Sequence, residues 1–386
     1  MSKLKILLFA QYGKMGGTRT YFKQLLNLYS KLGARVTILR TFEDNDPEID
    51  ERIIEYGFTV MEAVNGFGHR HFGTRFPLHI FREWVTYRKL VLKVSPDIIV
   101  ISVGLPKLFI GVLPMGRKSL YILHTSPQDS QSEPKWKRMV VRFAYGLFFC
   151  KTSWLITVSD HARKSIAQAW AVPKDTLHVV YSTMGDVIHA DENIQHKARI
   201  VLTLGHVVHY KNPFGWIKIA KQVLATPNFS DVQFVWAGEG DLLEDCRNAV
   251  SAEGLEHTIK FLGLKQEVAT YYRLCTVYFQ PSYIETLGLS VLDAMRNGRP
   301  CIVSDRGGLP EVVEDGVCGW VVNPDDLTLM SKKLCALLSD VELQARMGEA
   351  AKSTYAKRFN AQAWERRMAD IHMAIIEEES TKWRLH

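Results

Sequence analysis

Residues 277–311 read VYFQPSYIETLGLSVLDAMRNGRPCIVSDRGGLPE, and this stretch decides the fold. It starts as an apolar strand, Val277–Gln280, passes a turn with Glu285 and a loop with Gly288, and enters a helix that carries Asp293. The start of such a helix offers free backbone N–H groups and the positive end of its dipole to an anion. The two carboxylates suit hydroxyl groups instead. A ligand with both phosphates and hydroxyls fits, and a nucleotide sugar has both.

The segment resembles the donor-site signature of the retaining glycosyltransferases of family four, the glycosyl transferases group 1, which have the GT-B fold. In that signature two glutamates precede a Gly-Lys-Pro-like turn and a Gly-Gly-x-Pro-Glu loop. Here Gly298-Arg299-Pro300 and Gly307-Gly308-Leu309-Pro310-Glu311 occupy those places. The second acidic position departs from the pattern, because Asp293 is one methylene shorter than glutamate.

The resemblance implies a role for each part of the segment. Glu285 is implied to contact the transferred sugar and Asp293 the ribose hydroxyls. The backbone implied to meet the pyrophosphate is that of Thr286, Leu287, Gly288 and Leu289.

The chain of 386 residues is long enough for two domains. Apolar β-branched runs alternate with amphipathic helical patterns, which is typical of parallel sheets built from β-α-β units. We predict an α/β fold of two facing, Rossmann-like, doubly wound domains, residues 1–188 and 189–361, with the active site in the cleft between them. A polar linker is predicted at Gly185–Lys197. The resemblance implies that the last helix, residues 362–386, packs back on the first domain.

Twelve strands are predicted along the chain, six in each domain. Helices are predicted at Thr18–Leu32, Glu83–Val94 and Asn360–Glu379. The strands are Lys5–Ala10, Val36–Arg40, Ile98–Ile101, Ser119–His124, Leu155–Val158, Val179–Tyr181, Ile200–Leu204, Gln233–Ala237, Ile259–Leu262, Val277–Gln280, Cys301–Ser304 and Gly319–Val322.

Charge is unevenly distributed along the chain. Residues 1–190 hold 26 Lys and Arg against 15 Asp and Glu, a net +11, whereas the remainder holds 22 against 26, a net −4. A basic domain is drawn to anionic surfaces. Residues 135–145, KWKRMVVRFAY, interleave cations with aromatic rings on a predicted helix, which favours either an anionic membrane or a core helix with a solvated basic side. Nucleic acid is disfavoured, since no recognition module is present.

The six cysteines show no CxxC pair and no metal-ligand spacing, which indicates reduced thiols in a cytoplasmic protein. The first apolar run is too short for a secretory signal, and residues 139–158 are interrupted by Arg142 and Lys151. We therefore expect a cytoplasmic chain, peripheral on the inner face of the plasma membrane if residues 135–145 bind lipid.

The loop after the first strand, Tyr12–Thr18, opens a helix with Gly16 and Gly17, where backbone approaches a phosphate or sugar closely. It lacks the G-x-G-x-x-G spacing, and the second strand ends in Leu39-Arg40-Thr41 without an acidic residue. An NAD-dependent dehydrogenase is thus disfavoured, although a plain tight turn also accounts for the loop.

The loop Gly205–Pro213 follows the first strand of the second domain. The family has an arginine and a lysine here, implied to neutralise the donor pyrophosphate; this chain has His206 and Lys211. Lysine is a compact charge suited to phosphate, whereas histidine is only partly protonated near neutral pH.

Three further positions are candidates by their place at strand ends. His124 lies where ligands bind in parallel sheets, and in relatives a histidine there touches the transferred sugar and the phosphate. A structural histidine is the alternative. Gly238 lies in a turn that resembles the family's Gly-(Asp/Glu)-Gly-Pro turn, and Leu264 in the strand-and-turn that flanks the base.

The sequence therefore predicts a retaining, metal-independent transferase that needs no cofactor. It would move a hexose-type sugar from a UDP- or GDP-linked donor to a hydroxyl of a glycan or glycolipid, in bacterial surface polysaccharide or lipopolysaccharide biosynthesis. Glu285, His124 and Lys211 are the predicted catalytic residues. A nucleotide-sugar epimerase of the same architecture and a non-catalytic sugar-nucleotide-binding protein remain the alternatives.

Overall fold

The structure is a computed structural model, and it describes residues 3–10, 12, 16–40, 46–62, 85, 88–103, 119–127, 135–149, 153–185 and 199–382. The chain divides into two compact units. The first unit comprises Met1–Tyr181 together with Trp364–His386, and the second unit comprises Ser182–Ala363.

The first unit is built on a seven-stranded sheet in the order β3-β2-β1-β4-β5-β6-β7. All of its recorded strand pairs are parallel, as β-α-β units require. The strands are β1 Lys5–Ala10, β2 Arg35–Arg40, β3 Thr59–Glu62, β4 Ile98–Val103, β5 Ser119–Leu123, β6 Ser153–Thr157 and β7 Leu177–Val179.

The helices of the first unit follow the strands, and residues 88–94 form a further helical stretch. Asp46 caps the helix that begins at Pro47 by accepting from the Ile49 N–H, and Ser159 caps the helix that begins at Asp160 by accepting from the Ala162 N–H. The helices are α1 Gly17–Lys31, α2 Pro47–Glu55, α3 Lys135–Phe149, α4 Asp160–Trp170 and α12 Ala361–Lys382, whose first three residues belong to the second unit.

Helix α12 packs against α1 through buried aromatic and polar groups. The Tyr29 hydroxyl lies 3.1 Å from Nε2 of His372, and Trp364 meets Tyr21 edge-on at 5.4 Å between ring centres. Nδ1 of His372 bonds the carbonyl of Met368 at 2.7 Å. The C-terminal helix is thus part of the first unit's core.

The second unit has a six-stranded parallel sheet in the order β10-β9-β8-β11-β12-β13. Its core includes the fully buried rings of Trp216, Trp236, Phe234 and Phe279. The strands are β8 Ile200–Leu204, β9 Gln233–Ala237, β10 Ile259–Phe261, β11 Val277–Gln280, β12 Cys301–Ser304 and β13 Gly319–Val322. The helices are α5 Pro213–Leu224, α6 Leu243–Ser251, α7 Ala269–Leu274, α8 Leu289–Arg296, α9 Leu309–Val312, α10 Leu327–Ser339 and α11 Val341–Arg358.

The prediction of two Rossmann-like, parallel-sheet domains is confirmed. One strand was placed wrongly: β7 spans Leu177–Val179 and not Val179–Tyr181, because its partner β6 ends at Thr157, which pairs with Val179. The short strand β3 was not predicted. Residues 186–197 of the predicted linker, residues 83–84 and 86–87 of the predicted helix Glu83–Val94, and residues 13–15 lie outside the described residues.

Candidate functional site

The candidate site of the second unit lies at the carboxyl ends of its strands. The loops that follow β8, β9, β10, β11 and β12 leave the sheet at the same edge because the strands are parallel. This edge is where open α/β sheets bind ligands. It carries most of the predicted donor residues.

Glu285 and Lys211 form the centre of this edge. The Lys211 ammonium donates to Oε1 of Glu285 in a close ion pair, although the two residues are 74 positions apart. Each side chain is 12% exposed, so the pair is only partly open to solvent. The structure therefore brings together two predicted catalytic residues, one from the β8 loop and one from the β11 loop.

A buried amide supports this pair. Gln280, the last residue of β11, donates from Nε2 to the same Oε1 of Glu285 at 2.7 Å. Its carbonyl oxygen accepts from Tyr278 at 2.8 Å and from Ser290 at 3.2 Å. The position of Glu285 is thus fixed from the strand side as well as from Lys211.

The loop between Glu285 and helix α8 rests directly on the glycines that follow β12. The backbone N–H of Gly308 donates to the carbonyl of Glu285 at 2.9 Å. A Cβ on Gly307, which has a φ of +64°, would lie 1.9 Å from that carbonyl oxygen, and one on Gly308 would lie 2.3 Å from the carbonyl oxygen of Thr286. Only glycine permits this approach, so the Gly-Gly pair shapes the loop that opens α8.

Gly288 immediately precedes α8 with a φ of +100°, and Leu289 is the first helical residue. No side chain caps this helix start. Leu287 is buried, and it anchors the loop on its inner side. The first N–H groups of α8 are therefore available to an anion.

Asp293 lies on the inner side of α8 and is only 6% exposed. Its carboxylate accepts from Nε of Arg296 at 2.5 Å, and the same guanidinium donates from Nη1 to the carbonyl of Met184 at 2.9 Å. Burial raises the pKa of Asp293, whereas Arg296 acts in the opposite direction. Asp293 is thus paired with Arg296, and the predicted contact of Asp293 with the ribose hydroxyls stays a prediction.

The β8 loop presents its residues unequally. His206 is exposed, whereas the Gly205 carbonyl accepts from the buried Trp236 indole at 2.9 Å. Asn212 caps α5 by accepting from the Gly215 N–H at 3.1 Å, which fixes the loop just after Lys211. Lys211 is therefore held at the site, while His206 faces solvent.

Gly238 and Leu264 lie at the ends of β9 and β10. The Gly238 N–H donates to the carbonyl of Gly263 at 2.9 Å, which joins the two turns. Leu264 is 38% exposed. The turns are adjacent, as flanks of one pocket would be.

In the first unit, His124 follows β5. Its Nε2 lies 3.0 Å from Oγ of Ser102 on β4, and its ring meets Tyr21 edge-on at 4.7 Å. Burial lowers the pKa of His124 to about 4. At neutral pH the ring is therefore uncharged and can exchange hydrogen bonds, but it does not provide a cation.

Gly16 and Gly17 lie at the start of α1, and both are exposed. Gly16 has a φ of +100°, no side chain caps the helix and no acidic residue lies in its first turn. The first turn of α1 therefore remains compatible with a ligand that carries negative charge.

Helix α3 carries an exposed face of apolar and basic residues. The exposed fractions are 66% for Trp136, 67% for Met139, 55% for Val140 and 69% for Phe143, and this spacing places the four on one side of the helix. Lys135, Arg138 and Arg142 are also exposed. Tyr145 and Phe149 of the same helix are buried in the first unit's core, so α3 has a core side as well as this exposed face. Among the described residues, no helix is both long and apolar enough to cross a membrane.

Sequence reasoning missed Gln280 and Arg296. The signal for Gln280 was an amide at the end of an apolar strand, and that for Arg296 was a cation one helical turn after Asp293. Both were visible only as residue types, because their partners are set by the folded chain.

Two family models match the chain. The model described as Glycosyltransferase Family 4 matches residues 15–183, and the model described as Glycosyl transferases group 1 matches residues 185–354. The matches meet near the boundary between the two units. Each half of the chain is thus similar to a glycosyltransferase domain.

Curated relatives and solved structures agree with these matches. Alpha-D-kanosaminyltransferase of Streptomyces kanamyceticus is 26% identical over 238 residues, which are 58% of this chain and 61% of that protein. The chain spans 39% and 42% of the length of two further curated relatives.

Among solved structures, a glycosyltransferase from Rickettsia africae has a TM-score of 0.78 at 13% identity, covering 97% of this chain and 99% of its own. HepE of Anabaena, solved with UDP and glucose, has a TM-score of 0.74 at 18% identity, covering 96% and 100%. The chain therefore has the GT-B fold of glycosyltransferases.

Proposed function

We propose that this protein is a retaining glycosyltransferase that moves a hexose-type sugar from a nucleoside diphosphate donor to a hydroxyl acceptor. The observation that carries the proposal is the Lys211–Glu285 pair beside the uncapped start of α8. A cation and free N–H groups suit a diphosphate, and a carboxylate suits sugar hydroxyls. HepE, which shares the fold, was solved with UDP and glucose.

In the proposed reaction the bond between the sugar and the diphosphate breaks while the acceptor oxygen bonds to the anomeric carbon. Negative charge grows on the leaving phosphate, where Lys211 and the dipole of α8 stabilise it. The leaving phosphate takes the acceptor's proton, so no strong side-chain base is required. Glu285 would hold the sugar, and neutral His124 would contribute hydrogen bonds. We propose no metal and no cofactor for this step.

A panel of nucleotide sugars tests the donor. The melting temperature would be measured with UDP-glucose, UDP-N-acetylglucosamine, GDP-mannose and ATP as the control, since a ligand at a hundred times its Kd adds about 2.7 kcal/mol to stability. Turnover with varied acceptors and NMR of the product's anomeric configuration would follow. Stabilisation by none of the sugars, or an inverted product, would overturn the proposal.

Two rival functions make different predictions for donor incubated alone. A nucleotide-sugar epimerase would yield a new nucleotide sugar, whereas a transferase yields at most slow hydrolysis. A non-catalytic binding protein would bind the donor but would show no turnover, whichever acceptor is supplied. The departures of His206 and Asp293 from the family's arginine and glutamate favour this last rival.

We further propose that the α3 face defined by Trp136, Met139, Val140 and Phe143 rests on an anionic membrane, where a glycolipid acceptor of bacterial surface polysaccharide or lipopolysaccharide assembly resides. Apolar side chains would enter the interface while flanking cations meet lipid phosphates, at about 1 kcal/mol per cation. Such contacts are screened over about 8 Å at physiological ionic strength.

Sedimentation with liposomes tests this surface. Replacing Lys135, Lys137, Arg138 and Arg142 with Gln should abolish binding to phosphatidylglycerol vesicles at low salt. The control carries the same charge change at four exposed cations elsewhere and should sediment like the parent. If both variants behave alike, net charge alone drives binding and the α3 face is only solvated. The control positions are Arg35, Lys89, Lys93 and Lys174.

A further inference from the structure

Oε1 of Glu285 accepts two hydrogen bonds, one from the Lys211 ammonium and one from the Gln280 amide. We propose that Gln280 is a positioning residue that keeps Glu285 in place when Lys211 leaves it for the donor diphosphate. This inference rests on the proposed function. It adds a residue outside the acidic pair and the basic loop.

The Gln280 side chain is held on every side. The residue is 1% exposed, and Nε2 donates to Ser282 Oγ at 2.9 Å as well as to Glu285 at 2.7 Å. Its oxygen accepts from Tyr278 at 2.8 Å and Ser290 at 3.2 Å. Two donors and two acceptor sites are the full capacity of an amide. The group therefore has no spare bonding capacity and no freedom to swing.

The orientation of this amide follows from its partners. An ionised carboxylate only accepts hydrogen bonds, so the NH₂ group must face Glu285, while the Tyr278 and Ser290 hydroxyls supply hydrogens to the oxygen. Tyr278 is itself bonded to the backbone N–H of Leu204 at 3.2 Å, at the end of β8. The amide is thus fixed by two neighbouring strands and by α8.

A donor diphosphate would draw the Lys211 ammonium away from Glu285. Its ammonium sits on a flexible four-carbon stem, whereas Gln280 sits on a buried strand. A doubly charged diphosphate at the start of α8 competes for the ammonium, and Glu285 then loses its cationic partner. The bond from Gln280 remains, and because it falls on Oε1 it leaves Oε2 for the sugar.

The exchange has a kinetic signature. Loss of Gln280 should affect the bound state in which Lys211 has moved, so turnover should fall while nucleotide affinity is retained. A residue that only stabilised the fold would lower the melting temperature and the affinity together. The split between kcat and Kd therefore separates positioning from structure.

The experiment compares Gln280→Leu with Ser282→Ala. Leucine removes the bond to Glu285 at similar volume, whereas Ser282→Ala removes another bond to the same amide and leaves Glu285 untouched. Calorimetry would give the Kd for UDP, and donor turnover would give kcat. We expect Gln280→Leu to lower kcat about thirtyfold with the UDP Kd within about twofold of the parent, and Ser282→Ala to change kcat less than threefold.

A second variant keeps the test decisive if leucine prevents folding. Gln280→Glu retains size and polarity but places a second carboxylate against Glu285, so it should lower kcat at least as much. Parent-like kcat in either variant, or a loss of kcat matched by equal loss of UDP affinity, would overturn the positioning role. A parent chain that binds no UDP or GDP and turns over no donor would instead overturn the proposed function, and the inference with it.

Discussion

The carboxyl edges of the two sheets carry different chemistry on the same topology. Strands β3-β2-β1-β4-β5-β6 and β10-β9-β8-β11-β12-β13 follow one order, yet the second edge holds an ion pair, a saturated amide and a glycine-backed loop. The first edge holds a neutral histidine beside Ser102 and an uncapped, exposed helix start. The shared strand order gives each sheet an edge at which a ligand can bind, and the loop residues at that edge determine which ligand it can be.

The charged groups at the two edges do not follow the net charges of the two halves of the sequence. The basic half of the chain presents a histidine that burial keeps uncharged, while the acidic half places Lys211 at its centre. The proposed diphosphate site would therefore depend on the local placement of one cation and of free N–H groups, whereas net charge acts on longer-range encounter. The basic residues of α3 are available for that second role.

The sharpest test of the comparison is Glu285→Gln set against His124→Asn. We expect Glu285→Gln to keep the fold and much of the donor affinity but to lower turnover about a hundredfold or more, because the carboxylate acts mainly in the transition state. His124→Asn should lower turnover about tenfold, since it loses hydrogen bonds but no charge. Steady-state kinetics with saturating donor would measure both, and equal losses would erase the contrast between the edges.

The glycine-backed loop is tested by Gly307→Ala. Its methyl group would lie 1.9 Å from the Glu285 carbonyl oxygen at a φ of +64°, so the free energy of unfolding should fall by about 3 kcal/mol. Gly316→Ala is the matched control, because Gly316 has a φ of +75° but nothing lies near its Cβ; about 1 kcal/mol is expected. Urea unfolding would measure the free energy of unfolding of both variants. Equal losses would mean that the close approach at Gly307 does not matter.

The Asp293–Arg296 pair is tested by Arg296→Leu. Removing the guanidinium leaves a buried carboxylate unpaired and frees the Met184 carbonyl, so stability at pH 7 should fall by about 2 kcal/mol. Lys221→Leu, which breaks the exposed pair with Glu253, should cost well under 1 kcal/mol. Because burial of the unpaired Asp293 carboxyl costs less when it is protonated, the loss of stability in Arg296→Leu should shrink as the pH falls. A loss that grows on acidification would contradict this account.

The last test concerns His124 and the pH dependence of stability. Its pKa is about 4 in the folded protein and about 6.5 when unfolded, so the unfolded chain binds more protons between these values. Its contribution to stability is complete above pH 6.5 and is lost as pH falls toward 4. His124→Asn should therefore flatten the decline in unfolding free energy across this window. An unchanged slope would mean that the ring is protonated in the folded state.

Much of the site was readable from sequence, since strand ends and glycines are local signals. The strands around Glu285, the helix start after Gly288 and the Gly307-Gly308 pair all follow from residue type and spacing. The exposed α3 face was different. Its residues fitted a core helix equally well, because periodicity marks an apolar side but does not say what covers it.

The sequence by itself determined two doubly wound sheets and the edge of the second sheet that carries most of the predicted donor residues, because apolar alternation and glycine placement act over a few residues. Only the tertiary structure decided the partners of the charged groups. Lys211 meets Glu285 across 74 positions, and Arg296 meets the Met184 carbonyl across 112. Gln280 completes its bonds with residues of its own strand, of the loop that follows and of α8. Such pairings depend on which loops the closed sheet brings together and on the need to satisfy every buried polar group there.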